Sequence, residues 1–252
     1  MSSTLHSAGT HPTSAIESAL TTILRFVFTA GCVFYAVLAF DYFLSFGTGR
    51  EGLWLQLFAL LVSSEHVLGS GSVHVDQAIA YRNGYDFLLM HTTMGAIAMA
   101  IGPFQFIRAV RRKYPHLHRS AGKIYLLGIL LSMIGGLGYL AVTDLDAVFS
   151  GAPFAISLLG LDIAVLFTGF LAYKAIRERD IRRHQSWMAF NFGLLLATPV
   201  LRLLWIVFAL VFPSLDQAAG NLAITTFLLP LCLTGMLLWV AVQNRGRKLP
   251  AI

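Results

Sequence analysis

Four ionisable side chains stand well inside apolar runs of this 252-residue chain: Asp41, His91, Asp162 and Arg202. A charge in hydrocarbon costs about 2.5–3.5 kcal/mol on insertion scales, so such groups pair with one another or face an internal cavity. At a rise of about 1.5 Å per residue, Asp41 and His91 lie roughly 8 Å from one end of their runs, and Asp162 and Arg202 roughly 13 Å from it. Separate runs thus bring polar groups to one band of depth, and Tyr139 can join them from another run. Two readings follow. Asp162 with Arg202, and Asp41 with His91, can be ion pairs that pin helices together. Alternatively, Asp41, His91, Tyr139, Asp162 and Arg202 line a polar pocket in the outer half of a bilayer.

A second constellation is His118 and His184, each at the start of an apolar run beside Arg119 and Arg183. Imidazoles on neighbouring helices are the usual ligands of b-type haem, so both are candidate axial ligands of haem b, with His91 a further one. The same histidines, with Arg119 and Arg183, also suit anchoring of helix ends at lipid headgroup phosphates. A third group, Glu65, His66, His74 and Asp76, has residue types that bind a divalent metal. Its spacing matches no zinc or copper pattern, and solvated loop residues are the alternative.

The elements that must position these groups are membrane helices. With 57% hydrophobic and 12% charged residues, the chain is not an ordinary soluble domain. Six apolar runs reach the length of about 20 residues that a helix needs to span a bilayer, at about 20–46, 86–107, 120–142, 153–175, 186–211 and 222–243. The expected fold is an all-α integral membrane bundle of six transmembrane helices, residues 15–244. A disordered tail (1–14) and a C-terminal tail (245–252) flank it. Ser14 to Glu17 forms a capping-box pattern for the first helix. Pro230 predicts a kink in the sixth span.

Residues 47–85 read as an external loop. Leu53 to Val62 is apolar but too short to cross, so a short interfacial helix is expected there, followed by a flexible polar stretch. Gly128, Ser132 and Gly136 recur at four-residue spacing, which admits a neighbouring backbone or a flat ligand. Cys32 and Cys232 both fall in apolar runs and read as small hydrophobes.

Fourteen of the 18 Lys and Arg residues lie in or beside the loop after the second run, the loop after the fourth, and the C-terminal tail. The positive-inside rule makes that side cytoplasmic, with both termini, in a multi-pass protein of the bacterial inner membrane. The net charge of +6 is therefore a topology signal, with no nucleic-acid partner implied. No Walker loop, dinucleotide glycine motif, nucleophile elbow or zinc-protease motif is present, so soluble-enzyme chemistry has no foothold.

The pieces His91, Gly95, Gly102-Pro103, Gln105-Phe106, then Pro115, His118-Arg119, Gly122, Tyr125, then His184, Trp187 and Met188 resemble a known pattern. It is that of the predicted bacterial membrane proteins grouped as domain of unknown function 2306, over roughly residues 86–205. The resemblance implies a fold and no activity. More distantly the arrangement is similar to cytochrome b561-type bundles, in which one haem is held by the third and fifth of six helices. That likeness implies haem ligation by His118 and His184. The expected function is accordingly a b-haem or quinone-linked electron-transfer protein, with a quinone or another membrane redox subunit as partner. The alternative is a non-redox transporter, sensor or accessory subunit that uses the outer polar pocket.

Overall fold

The computed structural model describes residues 12–228 and Thr234, and among these the chain is entirely helical. In chain order the helices are α1 (Pro12–Gly47), α2 (Leu53–Leu61), α3 (Ser64–Leu68), α4 (Val73–Asp76), α5 (Ala78–Asn83) and α6 (Tyr85–Gln105). There follow α7 (Arg108–Lys113), α8 (Pro115–Val142), α9 (Gly151–Arg177), α10 (Ile181–Leu195), α11 (Ala197–Val211) and α12 (Gln217–Ala223). Five stretches are long and apolar enough to cross a membrane: Thr22–Gly47, Tyr85–Gln105, Pro115–Val142, Gly151–Arg177 and Ile181–Val211. Of the predicted sixth span only the start is described. Pro230, Cys232 and the tail 245–252 lie outside the described residues, as do residues 1–11.

These helices turn large apolar side chains outward. Phe26, Leu127, Phe167, Phe170, Leu203 and Leu210 are all exposed, which suits a lipid surround and would be untenable in water. Among the described residues the one ion pair is Lys174–Glu178, at 3.9 Å on the surface. The fold therefore rests on apolar packing and hydrogen bonds.

α6 packs along α8 and α1, and α9 packs along α10 and α8. Small residues permit the α6–α8 approach. A Cβ at Gly135 would stand 2.6 Å from the His91 amide nitrogen and from the Phe87 carbonyl, and one at Gly128 would stand 3.1 Å from the Met94 carbonyl. Gly128 of the small-residue row, and Gly135 outside it, thus serve helix packing. The fifth span starts at Ile181, five residues before the sequence expectation, and breaks at Leu196 between α10 and α11. Pro199 explains the break: its ring opposes the Leu195 carbonyl four residues back and offers no N–H to it.

The stretch 47–85 departs from expectation. α2 is the short apolar helix foreseen, but the polar remainder forms three more short helices instead of a flexible loop. Ser63 Oγ accepts the His66 amide at 3.1 Å and Ser72 Oγ accepts the Val75 amide at 3.4 Å, capping α3 and α4. Val67, Val73, Ala80 and Tyr81 turn inward and are buried. Their burial fixes the stretch as a lid over the end of the bundle away from the basic loops, the end labelled outer.

Candidate functional site

A cavity of about 360 Å³ lies in the outer half of the bundle, beneath this lid. Its roof is Trp54, Val73, Gln77 and Tyr81, and its floor includes Met99, Met133, Val165 and Leu194. His91, Tyr139, Asp162 and Arg202 all line it, from four different spans. The break in the fifth span matters here, because Leu195, Leu196 and Ala197 form part of the wall.

His91 is held in one tautomer. Its Nδ1 lies 2.8 Å from the Ser132 carbonyl oxygen. A carbonyl can only accept, so Nδ1 carries the proton and Nε2 keeps its lone pair. Ser132 Oγ in turn donates to the His91 carbonyl at 2.7 Å. The Asp162 carboxylate is buried and has no hydrogen-bond donor among the described residues. Gly136 makes room for both groups: a Cβ there would stand 3.0 Å from His91 Nδ1 and collide with the Asp162 carboxylate.

Arg202 is placed differently. Its guanidinium carbon sits 3.8 Å from the centroid of the Trp205 ring, a cation–π contact. The hydroxyls of Tyr35 and Tyr81 are its hydrogen-bonding neighbours. Trp205 is itself fixed, donating Nε1–H to Asn221 Oδ1 at 3.0 Å. No carboxylate lies within 4.0 Å of Arg202 among the described residues. The expected Asp162–Arg202 ion pair is therefore absent, and the two charges line the same cavity without touching.

Asp41 does not line this cavity. It accepts from Ser45 Oγ at 3.3 Å and from the Leu53 amide at 2.6 Å. α2 begins after Gly52, which has no side chain to cap it. Asp41 supplies the missing acceptor at a helix end that favours negative charge. It has no pairing with His91, whose Nδ1 is engaged by Ser132.

The lid is latched over the cavity by amides. Gln77 Nε2 donates to the Tyr139 hydroxyl at 2.6 Å, and Gln77 Oε1 accepts the Phe149 amide. Gln217 Oε1 accepts the Val73 amide at 2.9 Å. His66 packs against the Phe58 ring and His74 against the Phe46 ring. Asp76 accepts the Gly71 amide. No cluster of three or more metal-ligating side chains occurs among the described residues. Burial lowers the pKa of His66 and of His74 from the ordinary imidazole value, against the opposing pull of Asp216 and Glu51 respectively.

His118 and His184 sit at the opposite end, half-buried and within electrostatic reach of each other. His184 Nδ1 donates to the Ala172 carbonyl at 2.9 Å. His118 Nδ1 is buried without a partner among the described residues. Arg119 and Arg183 are exposed beside them, and Asp180 Oδ1 accepts the Arg183 amide at 2.9 Å.

Residues 88–239 match the family described as predicted membrane protein, DUF2306. The chain belongs to this family. No curated protein and no solved structure matches it. The family segment carries His91, Tyr139, Asp162 and Arg202, whereas α1 and the lid precede it. The charged walls of the cavity thus come from the family segment, and its cover comes from the N-terminal part of this chain.

The tyrosines Tyr35, Tyr42 and Tyr81, and the lid residue Gln77, are cavity residues that a search for charges in apolar runs passes over. Asn191 is another omission. It is completely buried, accepts from the Tyr125 hydroxyl at 2.7 Å, and donates to the Val165 carbonyl and Thr168 Oγ1 at 2.8 and 2.9 Å. An amide in the middle of Trp187–Ala197, an otherwise apolar run, was the available signal.

Proposed function

We propose that this protein is a membrane-embedded binding protein, of the carrier or sensor class, for a small lipophilic molecule with an oxygen-bearing head. The observation that carries the reading is the cavity: mostly apolar walls with a few convergent polar groups, the usual make-up of a small-molecule site. Arg202, lacking a carboxylate partner, offers charge-assisted donors to an acidic or carbonyl oxygen. His91 Nε2 and Asp162 face the same space and can exchange a proton with the ligand's polar group. The aromatic roof and the small residues Gly95, Ala96 and Gly136 suit a flat or narrow apolar body.

The test is binding in lipid nanodiscs, with a fluorescent fatty acid and a short-chain quinone as alternative probes. Saturable binding of either, weakened about tenfold or more by Arg202→Gln, supports the reading. Unchanged binding in Arg202→Gln, or none to either probe, ends it.

One observation favours a second, redox reading. His184 anchors Nδ1 on a backbone carbonyl and keeps Nε2 free, the posture of an axial ligand, with His118 nearby. His118 lacks the matching anchor, and the cavity lined by His91 and Arg202 lies at the other end. A reduced-minus-oxidised spectrum of the purified protein decides it. A b-type band lost in His184→Ala supports haem, and a featureless spectrum after expression with haem supply rejects it.

A further inference from the structure

The basic end of the bundle holds a polar cluster that the outer cavity does not use. Gln105 is the last residue of α6 and is 6% exposed. Its Oε1 faces α8, 3.4 Å from where a Cβ on Gly122 would stand. Its Nε2 is buried with no acceptor among the described residues. His118, one turn before Gly122 on the same face of α8, has a buried and equally unpartnered Nδ1. Two side-chain nitrogens, from α6 and α8 at this end, are therefore buried without partners among the described residues.

Cations gather around this end of α6 and α8. Arg111 donates Nη1–H to the Gln105 and Phe106 carbonyls, both at 3.3 Å, which holds its guanidinium at the end of α6. Arg111, Arg119 and His184 are all within electrostatic reach of His118. α8 and α10 begin at this end while α6 and α9 finish there, so the helix dipoles oppose one another and the side-chain cations supply the positive charge. The carboxylates of this face are engaged elsewhere. Asp180 caps α10 through the Arg183 amide, and Glu178 pairs with Lys174 at 3.9 Å. A buried amide N–H left unpaired costs stability, so the Gln105 amide nitrogen beside these cations is complete only with a further acceptor.

We propose that Gln105, Arg111, His118 and His184 form a binding site for a phosphate group at the basic end of the bundle. A phosphate offers several acceptor oxygens to donors from α6, α7, α8 and α10, and its charge is balanced by the Arg111 guanidinium. The phosphate can come from a lipid headgroup or be free in solution. The chemistry is the same, and the cluster sits where a bilayer's phosphates lie. This site makes no use of the outer cavity, so it stands or falls separately from the ligand proposed there. It competes with haem ligation for His118 and His184.

The experiment measures thermal unfolding of the purified protein in a neutral detergent, with short-chain phosphatidylglycerol, short-chain phosphatidylcholine or inorganic phosphate added. Phosphatidylglycerol should raise the midpoint well beyond phosphatidylcholine, as any ligand that binds only the folded state must. The apparent affinity should fall roughly tenfold in Arg111→Gln and in His118→Ala. Arg112→Gln, an exposed neighbour of the same charge, should leave it unchanged. Stabilisation by inorganic phosphate as well identifies a free-phosphate site, and stabilisation by the lipid alone identifies a headgroup site. If Arg111→Gln does not fold, Arg111→Lys, which keeps the charge and loses the fork of donors, should weaken the effect. Equal shifts with the two lipids and none with phosphate, shifts that persist in the variants, or a b-type band lost in His118→Ala would overturn the proposal.

Discussion

In the inner half of the bundle Asn191 has a partner for its oxygen and for its nitrogen, and Tyr125, Thr168 and Val165 close around it with no space left. In the outer half, among the described residues, Asp162 has no donor and Arg202 has an aromatic face and two hydroxyls in place of a carboxylate. The same bundle thus satisfies the Asn191 amide completely and leaves the Asp162 carboxylate open. The packing differs in the same way. The inner core is built from small and aliphatic residues such as Ala98, Ile129, Val165 and Ala172. The outer core is a chain of rings (Tyr42, Phe43, Tyr81 and Tyr139 among them) that surrounds a hollow. Full satisfaction marks structure, and unsatisfied charge around a cavity marks a place for something else.

Two adjacent glycines give the sharpest way to break that comparison. Gly135→Ala drives a methyl into the α6 backbone, so it should destabilise by about 3 kcal/mol. Gly136→Ala meets only the His91 and Asp162 side chains, which can move, so it should cost less and disturb the cavity more. Unfolding in mixed micelles alongside probe binding in nanodiscs separates the two. Equal stability losses would mean that the cavity wall at Gly136 is packed as rigidly as the α6–α8 seam at Gly135.

Asn191→Leu should be next in size. It strands the Tyr125 hydroxyl and frees the Val165 carbonyl, at about 1–2 kcal/mol in a membrane interior, and should leave ligand affinity in the outer cavity alone. Loss of probe binding in Asn191→Leu would show the halves to be coupled. Gln77→Ala removes two of the three latches on the lid, leaves that of Gln217 on Val73, and should cost about 1 kcal/mol. Its clearer effect is faster amide exchange across residues 63–83, with α8 unaffected.

The smallest expected effect concerns pH. His66 and His74 have folded pKa values below the ordinary imidazole value of about 6.5. The unfolded lid therefore binds more protons than the folded one, and stability rises with pH through the window below about 6.5. Acidification from pH 7 to pH 5 should loosen residues 47–85 as measured by limited proteolysis. His66→Phe should reduce that sensitivity. A lid equally resistant at both values would mean that these imidazoles are free to charge without opening it.

Sequence alone determined the parts of this protein that depend on short stretches. Apolar length fixed five spans within a few residues, because a run either covers the hydrocarbon or does not. The motif pieces around His91, His118 and His184 pointed to the family, and the depth count brought His91, Tyr139, Asp162 and Arg202 to one level. Depth, however, says nothing about the direction in which a side chain points around its helix. Only the tertiary structure decided that Asp41 turns to cap α2, that Arg202 stacks on Trp205 and stays apart from Asp162, and that Pro199 breaks the fifth span at the cavity wall. It also decided that residues 63–83 fold inward as a lid, since buried Val67, Val73 and Tyr81 have value only against partners far along the chain. Hydrophobic length is read along the chain, whereas the side of a helix to which a charge turns depends on how the helices pack. The burial of the lid is set by groups as distant as Tyr139 and Gln217.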